Sequence, residues 1–123
     1  MKNNLLELDS NNLSFQNIED IKKIYNNKKI KRILLIQPPD TNSSSFNFAA
    51  GKRTRLYNYP PYGLGILAAQ IRKLNLEVDI LNLNFEILKK CVSSINEKEF
   101  KFNEIWKNEL KKKLDNFNPC FVG

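Results

Sequence analysis

Between Arg32 and Leu83 the hydrophobic period changes twice, and that succession constrains the fold more than any other feature of the chain. Arg32-Ile33-Leu34-Leu35-Ile36-Gln37 is a short, nearly continuous apolar run that stops at Pro38-Pro39. A run of that length bounded by prolines predicts a strand buried on both faces, as in a parallel sheet. Leu64, Leu67, Ala68, Ile71 and Leu74 then recur at helical spacing, with Gln70, Arg72 and Lys73 between them. Leu76, Val78 and Ile80 alternate with Glu77 and Asp79, and Leu81 and Leu83 extend the run into a second strand. Strand, long connection, helix and strand make a βαβ unit with a right-handed crossover. Ligands of open parallel sheets bind outside the carboxyl ends of the strands, so the Pro38–Pro61 connection is expected to lie over any site.

That connection is longer than most in compact domains, and such length needs a reason. Asp40-Thr41-Asn42-Ser43-Ser44-Ser45 is flexible by composition. Phe46, Phe48, Tyr57 and Tyr59 could cover an apolar ligand, while Lys52, Arg53 and Arg55 could meet a phosphate or carboxylate. The competing reading is a solvated loop. Pro60-Pro61 holds the chain extended before the helix. Gly63 and Gly65 permit close approach of backbone to a ligand or, equally, to the sheet. They do not form the dinucleotide fingerprint, which would follow the strand directly. Asn75 tolerates the left-handed conformation that ends a helix.

Further along, Phe85, Leu88, Val92 and Ile95 predict a helix in which Cys91 faces the packing. Phe102, Trp106, Leu110 and Leu114 predict another, with Glu109 placed to pair with Lys113 and Lys111-Lys112-Lys113 in its last turn. Cys120-Phe121-Val122-Gly123 reads as the opening of a third parallel strand. The chain is therefore expected to be the N-terminal portion of a longer protein, or a truncated product. Residues 1–30 form a polar extension with a short helix near 17–26, capped by Ser14 or Asn17 and presenting Ile18, Ile21, Ile24 and Tyr25.

Totals narrow the function classes. The chain has 123 residues, no histidine and two cysteines, Cys91 and Cys120. An imidazole base is excluded, and no pair of residues has metal-ligand spacing. Neither a signal peptide nor an apolar run of ~18 residues is present, so the cytoplasm and reduced thiols are the expectation. The net charge of +7 is weak ground for nucleic acid as a partner. Asn, Lys and Ile share A- and T-rich codons and number 18, 16 and 12, which accounts for much of the basic excess. Only Lys52 to Tyr59 interleaves cations with aromatics in the manner of a nucleic-acid surface.

Taken together, Lys31–Gln37 with Pro38-Pro39, Pro60-Pro61-Tyr62-Gly63-Leu64-Gly65 through Lys73, Leu76–Asn82, and Leu114–Gly123 resemble a known family pattern. It is the N-terminal cobalamin-binding-like domain that precedes radical S-adenosylmethionine enzymes. The resemblance spans residues 31–123 and is most specific at Pro-Pro-x-Gly-Leu-Gly. It implies a flavodoxin-like, Rossmann-type α/β fold with an incomplete parallel sheet and a strand order beginning 2-1-3. It also implies cobalamin as a small-molecule cofactor and a downstream catalytic domain that would hold the iron–sulfur cluster and S-adenosylmethionine. The chain itself is not expected to be catalytic; the full enzyme would transfer methyl groups or run a related radical reaction. Cofactor-binding residues implied are Gln37, Pro38, Pro39, Asp40, Tyr62, Gly63, Leu64, Gly65 and Asn82, with no protein ligand to the metal. Asn75 stands where the family usually has glycine, Asn82 where an acid is common, and the Asp-x-His-x-x-Gly signature is absent. A degenerate, non-catalytic protein-interaction domain of the same fold is the alternative.

Overall fold

The structure, a computed structural model, describes residues 30–123 together with Asp20 and Lys23. The helix expected near 17–26 lies outside the described residues apart from those two. Four helices and three strands follow: β1 (Arg32–Gln37), α1 (Phe48–Lys52), α2 (Tyr62–Arg72), β2 (Glu77–Asn82), α3 (Leu83–Ser93), α4 (Phe102–Phe117) and β3 (Phe121–Val122). The strands form one open, all-parallel sheet in the order β2-β1-β3. Arg32 stands opposite Glu77 and Gln37 opposite Asn82, while Ile33 and Leu34 face Phe121 and Val122. This is the βαβ unit and sheet order expected from the sequence, an open α/β sheet of flavodoxin-like order.

Alternation along β1 builds two cores from one strand. Ile33 and Leu35 pack with Ala68 and Val78 under α2, joined by Leu64, Ile71 and Ile80. Leu34 turns to the other face and packs with Leu81 and Leu83, covered by Trp106, Leu110 and Leu114 of α4. Because successive side chains of a strand point to opposite faces, β1 must be apolar throughout, whereas β2 can carry Glu77 and Asp79. Asn75 (φ 57°) and Asn118 (φ 46°) adopt the left-handed conformation after α2 and α4. Asparagine is suited to that role.

The free edge of β2 is closed by side chains. Glu77 N–H donates to the Lys31 carbonyl at 2.9 Å, so alternation turns the backbone groups of Val78 and Ile80 outward. Arg72 Nη2 donates to the Val78 carbonyl at 3.0 Å. Asp79 Oδ1 accepts from Ile80 N–H at 2.8 Å, and its Oδ2 accepts from Lys113 Nζ at 2.6 Å. Such an edge is blunted against pairing with another strand. It also corrects the expected Glu109–Lys113 pair: Lys113 reaches across to the sheet. Lys111 pairs with Asp115 at 2.7 Å, and α4 continues to Phe117 with no basic residue in its last turn. The lysine run therefore sits a turn too early to serve the helix end.

Candidate functional site

Pro38 and Pro39 end the β1 ladder because neither can donate a backbone hydrogen bond. The chain then turns onto α3. Asp40 N–H donates to Asn84 Oδ1 at 3.3 Å, and Asn84 Nδ2 donates back to Asp40 Oδ2 at 2.8 Å. Gln37 Nε2 lies 3.5 Å from the other carboxylate oxygen. Asn84 is buried in the first turn of α3, where an unpaired amide would be costly. Asp40 and Asn84 therefore form a reciprocal clasp between the carboxyl end of β1 and the start of α3. Asn82 Oδ1 caps α3 by accepting from Phe85 N–H at 2.9 Å, and its Nδ2 is 3.5 Å from Asn58 Oδ1. Gln37, Asp40 and Asn82 thus gather at the carboxyl ends of β1 and β2, as expected. Asn84 was missed because an asparagine in the first turn of an apolar helix carries no periodic signal.

The second group of expected residues opens α2. Its N-cap is Pro61, which provides no side-chain acceptor. Tyr62 N–H donates to the Pro60 carbonyl and Gly65 N–H to that of Pro61, leaving the amides of Gly63 and Leu64 without an acceptor among the described residues. Such amides suit an anionic or amide group of a ligand. Leu64 packs into the core under α2. A β-carbon built on Gly63 or Gly65 would meet no atom within 4 Å, so helix–sheet packing does not explain either glycine. Beside them runs an open apolar groove of about 450 Å³, lined by Pro60, Pro61, Tyr62, Gly65, Ile66 and Ile80 among others. That groove takes in Tyr62 and Gly65 but none of Gln37, Pro38, Pro39 or Asp40.

Part of the connection between the two groups is packed against the domain, neither cover for a ligand nor solvated loop. Phe46 stacks on Phe100 with centroids 5.0 Å apart, and Phe48 lies 5.4 Å from the same ring. With Phe102 they form an aromatic cluster that lines an open groove of about 420 Å³. Lys52 Nζ donates to the carbonyls of Val92 (2.6 Å) and Ser94, which end α3, so it is not available to an anion. Asn42 Oδ1 accepts from the N–H and hydroxyl groups of both Ser44 and Ser45. The serine run is consequently a side-chain-locked turn.

On the other side of β2, a groove of about 510 Å³ lies against α4 and is lined by Asp79, Asn82, Phe85, Glu109, Lys112 and Lys113 among others. Burial would raise the Asp79 pKa, but the Lys113 hydrogen bond, the Ile80 amide and the nearby Lys113 and Arg72 charges outweigh it and hold it below 3.8. At the opposite end of the sheet, the N–H groups of Lys31 and Arg32 donate to Cys120 Sγ at 3.1 and 3.2 Å. The Arg32 and Lys31 amides lower the thiol pKa. Cys91 is fully buried and its thiol is pushed up by that burial. Among the described residues no group of three or more His, Cys, Asp or Glu side chains could hold a metal ion.

Fold and site together define an open parallel α/β domain with polar groups gathered at the carboxyl ends of β1 and β2. No family model, curated protein or solved structure matches the chain.

Proposed function

We propose that the chain is a small-molecule-binding module of the cobalamin-binding-like type found ahead of radical S-adenosylmethionine enzymes, and that it binds rather than catalyses. The observation that carries this reading is the start of α2: an uncapped helix end with two glycines whose faces none of the described residues uses. A glycine inside a helix costs roughly 0.5–1 kcal/mol relative to alanine, so two such positions favour close approach by something else. The residues fit cobalamin in one respect and restrict it in another. Gly63 and Leu64 amides could hold a polar substituent of the corrin ring, while Gln37 and the Asp40–Asn84 clasp fix the carboxyl end of β1. No histidine exists to reach the cobalt. When bound, cobalamin would supply a cobalt-centred methyl carrier; the chain's own part is to bind and orient it. An iron–sulfur cluster and S-adenosylmethionine would belong to a separate catalytic domain.

Titration of cobalamin into the protein, followed by absorbance, tests this. Binding is expected without the spectral change of imidazole ligation. Gly65→Val, which meets open space in the free protein, is expected to weaken binding, and Lys111→Ala to leave it unchanged. No binding at high micromolar cobalamin would refute the reading.

One observation favours a second reading, a protein-interaction domain of the same fold. Tyr62, Ile66, Leu67 and Leu74 of α2 and its following turn are all exposed, more apolar surface than one helix of a closed domain normally leaves in water. Pull-down of a partner abolished by Ile66→Asp, alongside a negative cobalamin titration, would establish it.

A further inference from the structure

We propose that the segment Arg55–Tyr59 is a binding strip for single-stranded nucleic acid, independent of any cofactor at the start of α2. Arg55, Tyr57 and Tyr59 are exposed while Leu56 and Asn58 between them are half-buried. Through a bend at Leu56, the segment thus leaves the cation and both aromatics on the outside. Asn58 is tied inward to Asn82, and Leu56 approaches the buried Gly51, so the strip is anchored from behind. Tyr57 and Tyr59 are 77% and 71% exposed, yet their rings lie nearly parallel, 16° apart with centroids at 5.7 Å. Two stacked, nearly parallel rings offered to water leave outer π-faces on which a base can be laid.

The charge beside the two rings is of the matching sign and kind. From Thr41 to Leu76 the sequence contains five cations and no acid. Lys52 is spent on the end of α3, but among the described residues Arg53 and Arg55 have no acidic partner. The codon argument that discounts the lysines does not cover this pair. The chain has only four arginines, and two of them stand here within three residues. A guanidinium both stacks on bases and pairs with phosphate in a way an ammonium does not. Between them Thr54 takes a left-handed φ of 54°, an uncommon conformation for a β-branched residue. This turn ends α1 and starts the strip. A proline-rich peptide could also lie on tyrosines, but it would leave both arginines without a counter-charge.

Fluorescence anisotropy of the whole chain with labelled oligouridylate and oligothymidylate of about 12 nucleotides tests the proposal. Both strands are expected to bind at low salt, and a duplex of the same length more weakly, because its bases are already stacked. Tyr57→Ala and Tyr59→Ala should each weaken binding roughly tenfold. Arg55→Ala should weaken it and reduce the salt slope by about 0.7. Lys111→Ala/Lys112→Ala, which removes two positive charges elsewhere against the one lost in Arg55→Ala, should change affinity far less. The proposal is overturned if the tyrosine variants bind like the parent, if the lysine double variant loses as much as Arg55→Ala, or if a duplex binds as tightly. It is likewise overturned if a proline-rich peptide binds and neither oligonucleotide does.

Discussion

Gly51→Ala isolates the contact that fastens the long β1–α2 connection to the body of the domain. Gly51 sits in α1 at an ordinary helical φ, so alanine meets no backbone strain and gains about 0.5–1 kcal/mol of helix propensity. The new β-carbon, however, would lie 2.8 Å from Cys91 Sγ and 3.1 Å from Phe46 Cζ. Neither neighbour yields easily: Cys91 is fully buried, and Phe46 is held against Phe100 and Phe102. Overpacking of this kind costs about 1–3 kcal/mol, which exceeds the propensity gain. The net expectation is a loss of about 1–2 kcal/mol, or roughly 3–8 °C in Tm for a domain of this size. Cys91→Ala alone should also destabilise, because it removes buried volume. In the double variant the alanine methyl occupies the space the sulfur vacates, so the losses should fall short of additive by about 1 kcal/mol or more. Urea unfolding of the four proteins, followed by circular dichroism, measures that coupling. A Gly51→Ala variant as stable as the parent, or strictly additive losses, would refute the packing argument.

Three further outcomes are expected. Gly65→Ala should raise stability by about 0.5–1 kcal/mol, since its methyl meets open space; a loss in thermal melts would mean that α2 is covered in solution. The Asp79 pKa is lowered on folding, so its stabilisation is complete above the ordinary value of 3.8 and is lost as pH falls through the lower folded value. Asp79→Asn should therefore be less stable than the parent at neutral pH, with the gap closing only below about pH 4; a gap independent of pH would contradict the Lys113 pairing. Iodoacetamide at neutral pH should label Cys120, which is exposed and has a lowered pKa, well before Cys91, which is buried and has a raised one. Equal rates by mass spectrometry would show that one of the two environments is misplaced.

The fold was legible where burial imposes a period. Ile33 to Ile36 had to be a two-sided strand, and the helical spacing from Leu64 to Ile71 had to pack on one of its faces. Those two facts, with the alternation after Leu76, fix β1, α2 and β2 and their parallel order. Tertiary choices among equivalent partners were not legible. Lys113 had Glu109 within helical reach, yet it pairs with Asp79, which is also held by the Ile80 amide. Phe46 and Phe48 looked like cover for a ligand because their sequence neighbours are polar. Only the approach of Phe100 and Phe102, more than fifty residues away, gathers them into an aromatic cluster.

The same distinction separates the parts of the candidate site. Gln37, Asp40 and Asn82 were found because strand ends are predictable, and the sheet order brings the ends of β1 and β2 together. Their chemistry then proves largely internal: Asp40 is clasped by Asn84, and Asn82 caps α3. Groups satisfied in this way position a wall but have little left to offer a ligand. What remains unsatisfied lies on either side of Pro60-Pro61: the amides of Gly63 and Leu64 after it, and Arg55, Tyr57 and Tyr59 before it. The prolines hold the chain extended between these two surfaces, and Asn58, tied to Asn82, fixes the first of them to the strand end. A substitution that loosens the Asn58–Asn82 contact should therefore disturb the strip before α2, because α2 is held independently by Leu64, Ala68 and Ile71 in the core.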